Sequence, residues 1–104
     1  PDAYAPASSY GFASRLVVEG APVLLLYRET PDHEQDSGWR FFAGTESDEF
    51  LAEPENGILV ELAPIAAADS RVRSILGAEV GSLFERENAS EDFVQLDQSG
   101  RPTS

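Results

Sequence analysis

Carboxylate side chains recur in one stretch of the sequence at a spacing that could bind a cation. Asp32, Glu34 and Asp36 alternate along the chain, as the oxygen ligands of a calcium-binding loop do. However, Ser37 stands where such a loop requires its turn-forming glycine, and Ala43 stands where it requires the closing bidentate carboxylate. The chain has no cysteine and a single histidine, which excludes thiolate sites and two-histidine zinc sites within one chain. We therefore predict no metal site and no cofactor.

That histidine, His33, is the side chain best suited to act as a general base near neutral pH. It lies in a polar stretch, and no nucleophile motif such as Gly-x-Ser-x-Gly accompanies it. Glycine-rich phosphate-binding loops are also missing. Carboxylate pairs are plentiful, so the sequence leaves a glycosidase-like pair open, because spacing along the chain does not give separation in space. We predict a protein that binds a partner and is not an enzyme.

The charge balance limits which partners the chain can bind. Its 104 residues include 19 acids and 7 basic residues, giving a net charge of −12. This charge opposes binding to nucleic acid and to anionic membranes, and it favours solubility and encounter with cationic partners. No apolar run is long enough to span a membrane. All basic residues are arginine, which with the abundant alanine indicates a bacterial protein, and the lack of cysteine fits the cytoplasm.

The acids are concentrated in one segment. Between Glu29 and Glu55 lie nine of them, with Arg40 as the one basic residue, so this segment carries a net charge of −8. Charge of one sign steers the association of a protein with its partner. Tryptophan and arginine are enriched at protein interfaces, although a tryptophan within a strand is more often in the core. Acids in the first turn of a helix also have a structural explanation. The predicted contact residues for a cationic protein partner are Asp32, Glu34, Asp36, Trp39, Arg40, Glu46, Asp48 and Glu49.

The hydrophobic pattern predicts one α+β domain, with a mainly antiparallel sheet of about five strands and two or three short helices. Residues 23–27 are apolar without alternation, which predicts a central strand buried on both faces. We expect it to pair antiparallel with 39–43, where Trp39 and Phe41 share one face. The remaining predicted strands are 12–14, 58–62, and a hairpin of 83–86 with 93–96.

Capping and stop signals predict the helices. They run from Ser14 to Gly20, from Thr45 to Pro54, and from Asp69 or Ser70 to Gly77. The composition of the two ends is typical of flexible termini, so we place a flexible N-terminus at 1–9, the domain at 10–96 and a flexible tail at 97–104.

Several stretches resemble the small bacterial proteins grouped as domain of unknown function 2185, which are also labelled immunity-protein-like. The resemblance covers about Phe12 to Val94, and it is carried by Ser14-Arg15, Tyr27-Arg28-Glu29 and residues 36–44, 46–50 and 81–86. It implies an α+β domain and, for some relatives, a predicted role in neutralising a toxin during bacterial competition. The chain differs from these relatives at Gly57 and at the alanine run 66–68, because the relatives are richer in asparagine and isoleucine in these regions.

Two functions follow as predictions. The first is a non-enzymatic, acidic, immunity-like protein that occupies a basic toxin or effector. The alternative is a regulatory or small-ligand-binding domain in which Trp39, Phe41 or Phe42 lines a pocket. Acids gathered on one exposed face would favour the first, and an enclosed aromatic pocket would favour the second.

Overall fold

A computed structural model describes residues 10–97 and 99–102, so the predicted flexible N-terminus and part of the predicted tail lie outside it. The described residues form one mixed sheet in the order β4-β1-β3-β2-β5-β6. Neighbouring strands are antiparallel except for β1 and β3, which are parallel. The strands are β1 Tyr10–Ser14, β2 Leu25–Arg28, β3 Asp36–Phe42, β4 Gly57–Glu61, β5 Leu83–Glu85 and β6 Val94–Leu96. The predicted α+β class is confirmed, with one parallel pair and one strand more than expected.

Short helices connect these strands. They are α1 Arg15–Val18, α2 Asp48–Ala52, α3 Leu62–Ala68 and α4 Ser70–Arg73, with a 3-10 helix at Pro54–Asn56. Within the described residues, no helix has the length and apolar character needed to cross a membrane. The sequence analysis did not predict α3, which begins directly after β4 and contains the alanine run. Alanine has the highest helix propensity, so that run favours a helix once β4 ends at Glu61.

Hydrogen-bonded caps fix the helix starts. Ser14 caps α1 by accepting from Val17 N, and Asp69 caps α4, as predicted. The start predicted for α2 is wrong, because Ser47 and not Thr45 is its cap. Glu46 therefore precedes the helix and does not lie in its first turn.

The strand β2 is internal, between β3 and β5, as predicted, and it pairs antiparallel with β3 through Leu26 and Phe41. Its two faces are not equally buried, however. Leu26 is fully buried, whereas Leu25 and Tyr27 are half-buried. The prediction of burial on both faces is wrong because α3 and α4 pack against one face only. The core on that face consists of Ala13, Val23, Leu26, Trp39, Phe41, Leu62, Ala66, Val72, Leu76 and Phe84.

An irregularity in β3 bends the strand near its start. Tyr10 of β1 pairs with Asp36, but Phe12 pairs with Arg40, so β3 has two extra residues over this interval. Gly38 lies within it at a φ of +90°. A Cβ atom there would overlap the carbonyl oxygen of Glu29, so both the backbone conformation and the close approach require glycine.

We expect the two adjacent leucines of β2 to differ in their contribution to stability. Leu26→Ala should lower the free energy of unfolding by about 2–5 kcal/mol, because it leaves a cavity in the core. Leu25→Ala should cost clearly less, because part of that side chain is already in contact with water. Urea unfolding monitored by fluorescence of the single tryptophan measures both. Equal losses would contradict the one-sided core.

Candidate functional site

The guanidinium of Arg40 lies at the centre of a buried ion network at the start of β3. Its Nη1 and Nη2 donate to the two carboxylate oxygens of Asp36, each at 2.9 Å, and its Nε donates to Glu29 Oε2 at 2.7 Å. The Asp36 side chain is fully buried, whereas that of Glu29 is half-exposed. A two-pronged pair of this kind fixes both side chains, because planar guanidinium and carboxylate match each other.

The same network holds the loop between β2 and β3. Asp36 also accepts hydrogen bonds from the backbone N–H groups of Asp32 and Gly38, at 2.8 and 2.9 Å. The hydrogen bonds from Arg40 hold the pKa of Asp36 well below its usual range, even though burial opposes this. On the other side, the Arg40 guanidinium lies over the ring of Phe12, 4.9 Å from its centre.

Glu46 is the centre of a second set of anchoring hydrogen bonds, at the opposite end of β3. It accepts hydrogen bonds from Ser14 Oγ at 2.5 Å and from the backbone N–H groups of Ala43 and Gly44 at 2.7 and 2.9 Å. Although burial acts in the other direction, these bonds lower the pKa of Glu46. Glu46 thus ties the loop before α2 to the end of β1.

A second ion pair, between Arg86 and Asp69, holds the β5–β6 hairpin. Arg86 donates to Asp69 Oδ2 at 2.6 Å and twice to the carbonyl oxygen of Val23, and its guanidinium lies 4.1 Å from the centre of the Phe93 ring. The sequence analysis assigned no role to Arg86, although it lies in one of the stretches that carry the family resemblance.

Three of the eight predicted contact residues lie in the interior. Trp39 is fully buried and donates from its indole Nε1 to the carbonyl oxygen of Leu76 at 3.0 Å, while Asp36 and Arg40 bind each other. Such side chains offer almost no area to a partner, so we remove these three from the predicted surface. Asp36 also has both oxygens bound to Arg40, and no cluster of His, Asp or Glu able to hold a metal occurs among residues 10–97 and 99–102.

Of the other five predicted contact residues, Glu46 is half-buried and bound to Ser14 and to backbone N–H groups, and the four exposed acids do not form a single patch. Asp32 and Glu34 are exposed just before β3, whereas Asp48 and Glu49 are exposed after it, beyond its other end. The seven residues of β3 separate the two pairs, so the acidic segment Glu29 to Glu55 divides between opposite ends of the sheet.

Other acids join each pair through the sheet topology. Glu61 pairs with Tyr10, which places it at the end of the sheet where β3 starts, with Asp32 and Glu34. At the other end, with Asp48 and Glu49, are Glu85 and the acids of the β5–β6 hairpin, namely Glu87, Glu91 and Asp92. This grouping was not predicted, because it depends on strand order and not on spacing along the chain.

The face of the sheet opposite α3 and α4 is lined by aromatic and apolar side chains. We call it the open face, and strand alternation and pairing place on it Tyr10, Phe12, Leu25, Tyr27, Phe42 and Leu59. Leu59 is 49% exposed, and the other five are half-buried. Tyr27 and Phe42 stack with their ring centres 5.6 Å apart.

A cavity of about 250 Å³ opens on this face where α2 packs against it. Its walls include Phe12, Tyr27 and Phe42 from the sheet, and Leu51 and Asn56 from the α2 region. The aromatic pocket predicted around Trp39 is therefore corrected: Trp39 and Phe41 belong to the core, and of the three residues named only Phe42 borders this cavity.

Comparison with known protein families gives a match over most of the chain. The family model described as the immunity protein Imm33 domain matches residues 12–97. No curated protein and no solved structure matches the chain. The match confirms the predicted immunity-protein-like resemblance, while the narrower label, domain of unknown function 2185, stays a prediction.

We expect Asp36→Asn to remove stability in a pH-dependent way. At neutral pH it should lower the free energy of unfolding by about 3–5 kcal/mol, because it leaves a buried arginine with one partner fewer. Folding lowers the pKa of Asp36, so its contribution is fully present above the unfolded value of about 4 and is lost as the pH falls below it. The difference between parent and variant should therefore shrink below about pH 4 in urea unfolding curves.

Glu29→Gln is the matched control, because Glu29 binds the same arginine but is half-exposed. It should cost about 1 kcal/mol or less. A parent–variant difference for Asp36→Asn that stayed constant down to pH 3, or that equalled the control, would contradict the buried ion pair.

Proposed function

The chain belongs to the immunity protein Imm33 family, and from this we propose that it neutralises a protein toxin by binding it directly. The observation that carries the proposal is the extent of the match, because residues 12–97 include nearly the whole sheet from β1 to β6. The narrower relation to domain of unknown function 2185 is part of the same proposal.

The proposed toxin is cationic. The net charge of −12 supports this, as do the exposed acids at both ends of the sheet. Many of the arginines are engaged within the chain, and the net charge of −12 remains after all seven are counted. Their partners are Glu55 O for Arg15, Ser37 O and Ala78 O for Arg28, Asp36, Glu29 and, at 3.8 Å, Asp32 for Arg40, Asp92 for Arg71 and Asp69 for Arg86.

The proposed mechanism is occupation of the toxin, not catalysis. A general acid or base needs a pKa near the working pH, but hydrogen bonds from neighbouring groups, acting against burial, lower the pKa of the carboxylates Asp36, Glu46 and Asp69. His33 is exposed in the loop between β2 and β3. A cytoplasmic location also belongs to the proposal, and the cysteine-free composition supports it.

The alternative of an aromatic pocket for a small ligand has less support, because the two larger cavities formed by the described residues, of about 940 and 680 Å³, have no aromatic side chain in their walls. The cavity on the open face is smaller than the roughly 300–1,000 Å³ typical of sites for drug-sized ligands. Its size and its position on an exposed sheet face fit a protein side chain better than a free metabolite.

A growth assay tests neutralisation. Cells that express the toxin gene adjacent to this gene should arrest, and co-expression of this chain should restore growth, with the two proteins copurifying. Arrest that persists despite expression of the folded chain would contradict the proposal.

We expect the exposed acids to act mainly on the association rate. The variant Asp32→Asn with Glu34→Gln should slow stopped-flow association with the purified toxin at about 0.05 M salt. The effect should shrink at about 0.5 M, as the Debye length falls from roughly 14 to 4 Å. Asp36 stays unchanged in this variant, because it is buried. Equal association rates at low salt would show that this group of acids does not guide the encounter.

A further inference from the structure

We infer that the open face is the surface on which the toxin docks, and that its cavity receives an arginine or lysine side chain of the toxin. This inference rests on the proposed function and deepens it, since it names the surface and the chemistry of the contact.

The composition of the open face is that of an interface core. Phe12, Tyr27 and Phe42 present aromatic area, and Leu51 and Leu59, each 49% exposed, extend it on both sides. Leu59 pairs directly with Phe12, and Leu51 lines the cavity beside it, so these side chains are contiguous. Aromatic residues are enriched at the centres of protein interfaces, and contiguous apolar surface on a soluble domain marks a contact site.

The chemistry of this face favours a cation. Aromatic ring faces attract ammonium and guanidinium groups, and the open face already holds one such group, the guanidinium of Arg40 over Phe12. Carboxylates also border it: Glu61 accepts from the hydroxyl of Tyr10, and Glu85 lies opposite Leu25. Arg40 is the one arginine that strand alternation places on this face among the described strands, and it is already bound by Asp36 and Glu29. An incoming cation would therefore meet rings and carboxylates on the strands, while the exposed Arg15 of α1, bound to the carbonyl oxygen of Glu55, is a positive charge outside the strands.

The cavity has the size and lining for one long side chain. At about 250 Å³ it is bounded by Tyr27, Phe42 and Leu51, which would contact the aliphatic stem of an arginine or lysine. Asn56 adds a polar group at its edge; its amide nitrogen donates to the carbonyl oxygen of Phe50, and its side-chain oxygen is the acceptor suited to a cation. The rings and this oxygen together fit a basic head on an apolar stem.

Introducing a positive or a negative charge at one exposed position tests the inference. Leu51 lies in α2 and is half-exposed, so both Leu51→Arg and Leu51→Glu should fold. We expect Leu51→Arg to weaken binding of the purified toxin from the adjacent gene by about tenfold or more, because it places a like charge in the cavity of a cationic side chain. Leu51→Glu should weaken binding much less. Calorimetry gives the affinities, and urea unfolding confirms that each variant is folded.

Val18→Arg is the matched control, because Val18 is equally exposed but lies on α1, at the groove between α1 and α3. Its affinity should stay within about twofold of the parent. Equal losses for Leu51→Arg and Leu51→Glu would show an apolar occupant, and a loss confined to Val18→Arg would place the interface elsewhere; either result overturns the inference. If the parent chain itself failed to bind the toxin, the proposed function would be contradicted and the inference with it. Either of the two contrary patterns of loss among the variants would contradict the inference and leave the proposed function intact.

Discussion

The buried pair of Asp36 and Arg40 is the interaction on which the arrangement of the sheet depends. Burying two charges is costly unless geometry is good and the remaining polar atoms are satisfied. Both conditions hold here, because Arg40 also reaches Glu29 and Asp36 also accepts from the backbone of Asp32 and Gly38. In a regular strand the Cα atoms of residues four apart are separated by roughly 13 Å. Here the bend at Gly38 brings Asp36 and Arg40 closer together, because they pair with Tyr10 and Phe12, which are only two residues apart. Only glycine fits at this bend.

This pair has consequences on both sides of β3. The alternate residues Trp39 and Phe41 enter the core, and the Trp39 indole bonds to the segment after α4. The residues between and after them, Arg40 and Phe42, point to the open face, where Arg40 stacks on Phe12 and Phe42 on Tyr27. Trp39 and Phe41 therefore contribute to the core, Arg40 contributes to the buried ion network, and Phe42 contributes to the surface proposed for binding.

Local patterns were sufficient for much of the fold. The antiparallel pairing of β2 with β3, the capping roles of Ser14 and Asp69, and the β5–β6 hairpin each depend on nearby residues, and each was predicted. The parallel pairing of β1 with β3 was not, because it joins segments distant in the chain and leaves no local pattern.

The candidate site was less predictable, for the same reason. Arg40 was predicted as a contact residue because arginine is enriched at interfaces, and its pairing with Asp36 requires a bend that spacing along the chain does not reveal. The division of the acids likewise follows from the path of β3. Conversely, the open face was missed because Phe12, Tyr27 and Phe42 lie on three strands whose order the sequence does not state.

Hydroxyl-radical footprinting, with and without the bound toxin, tests the docking surface most directly because it reports the exposure of individual side chains. We expect oxidation of Tyr27, Phe42 and Leu51 to fall on binding, while Val18 and Val80, which are exposed and are not residues of the open face, keep their free-state rates. Unchanged oxidation of Tyr27, Phe42 and Leu51, together with protection of Val18 or Val80, would contradict docking on the open face.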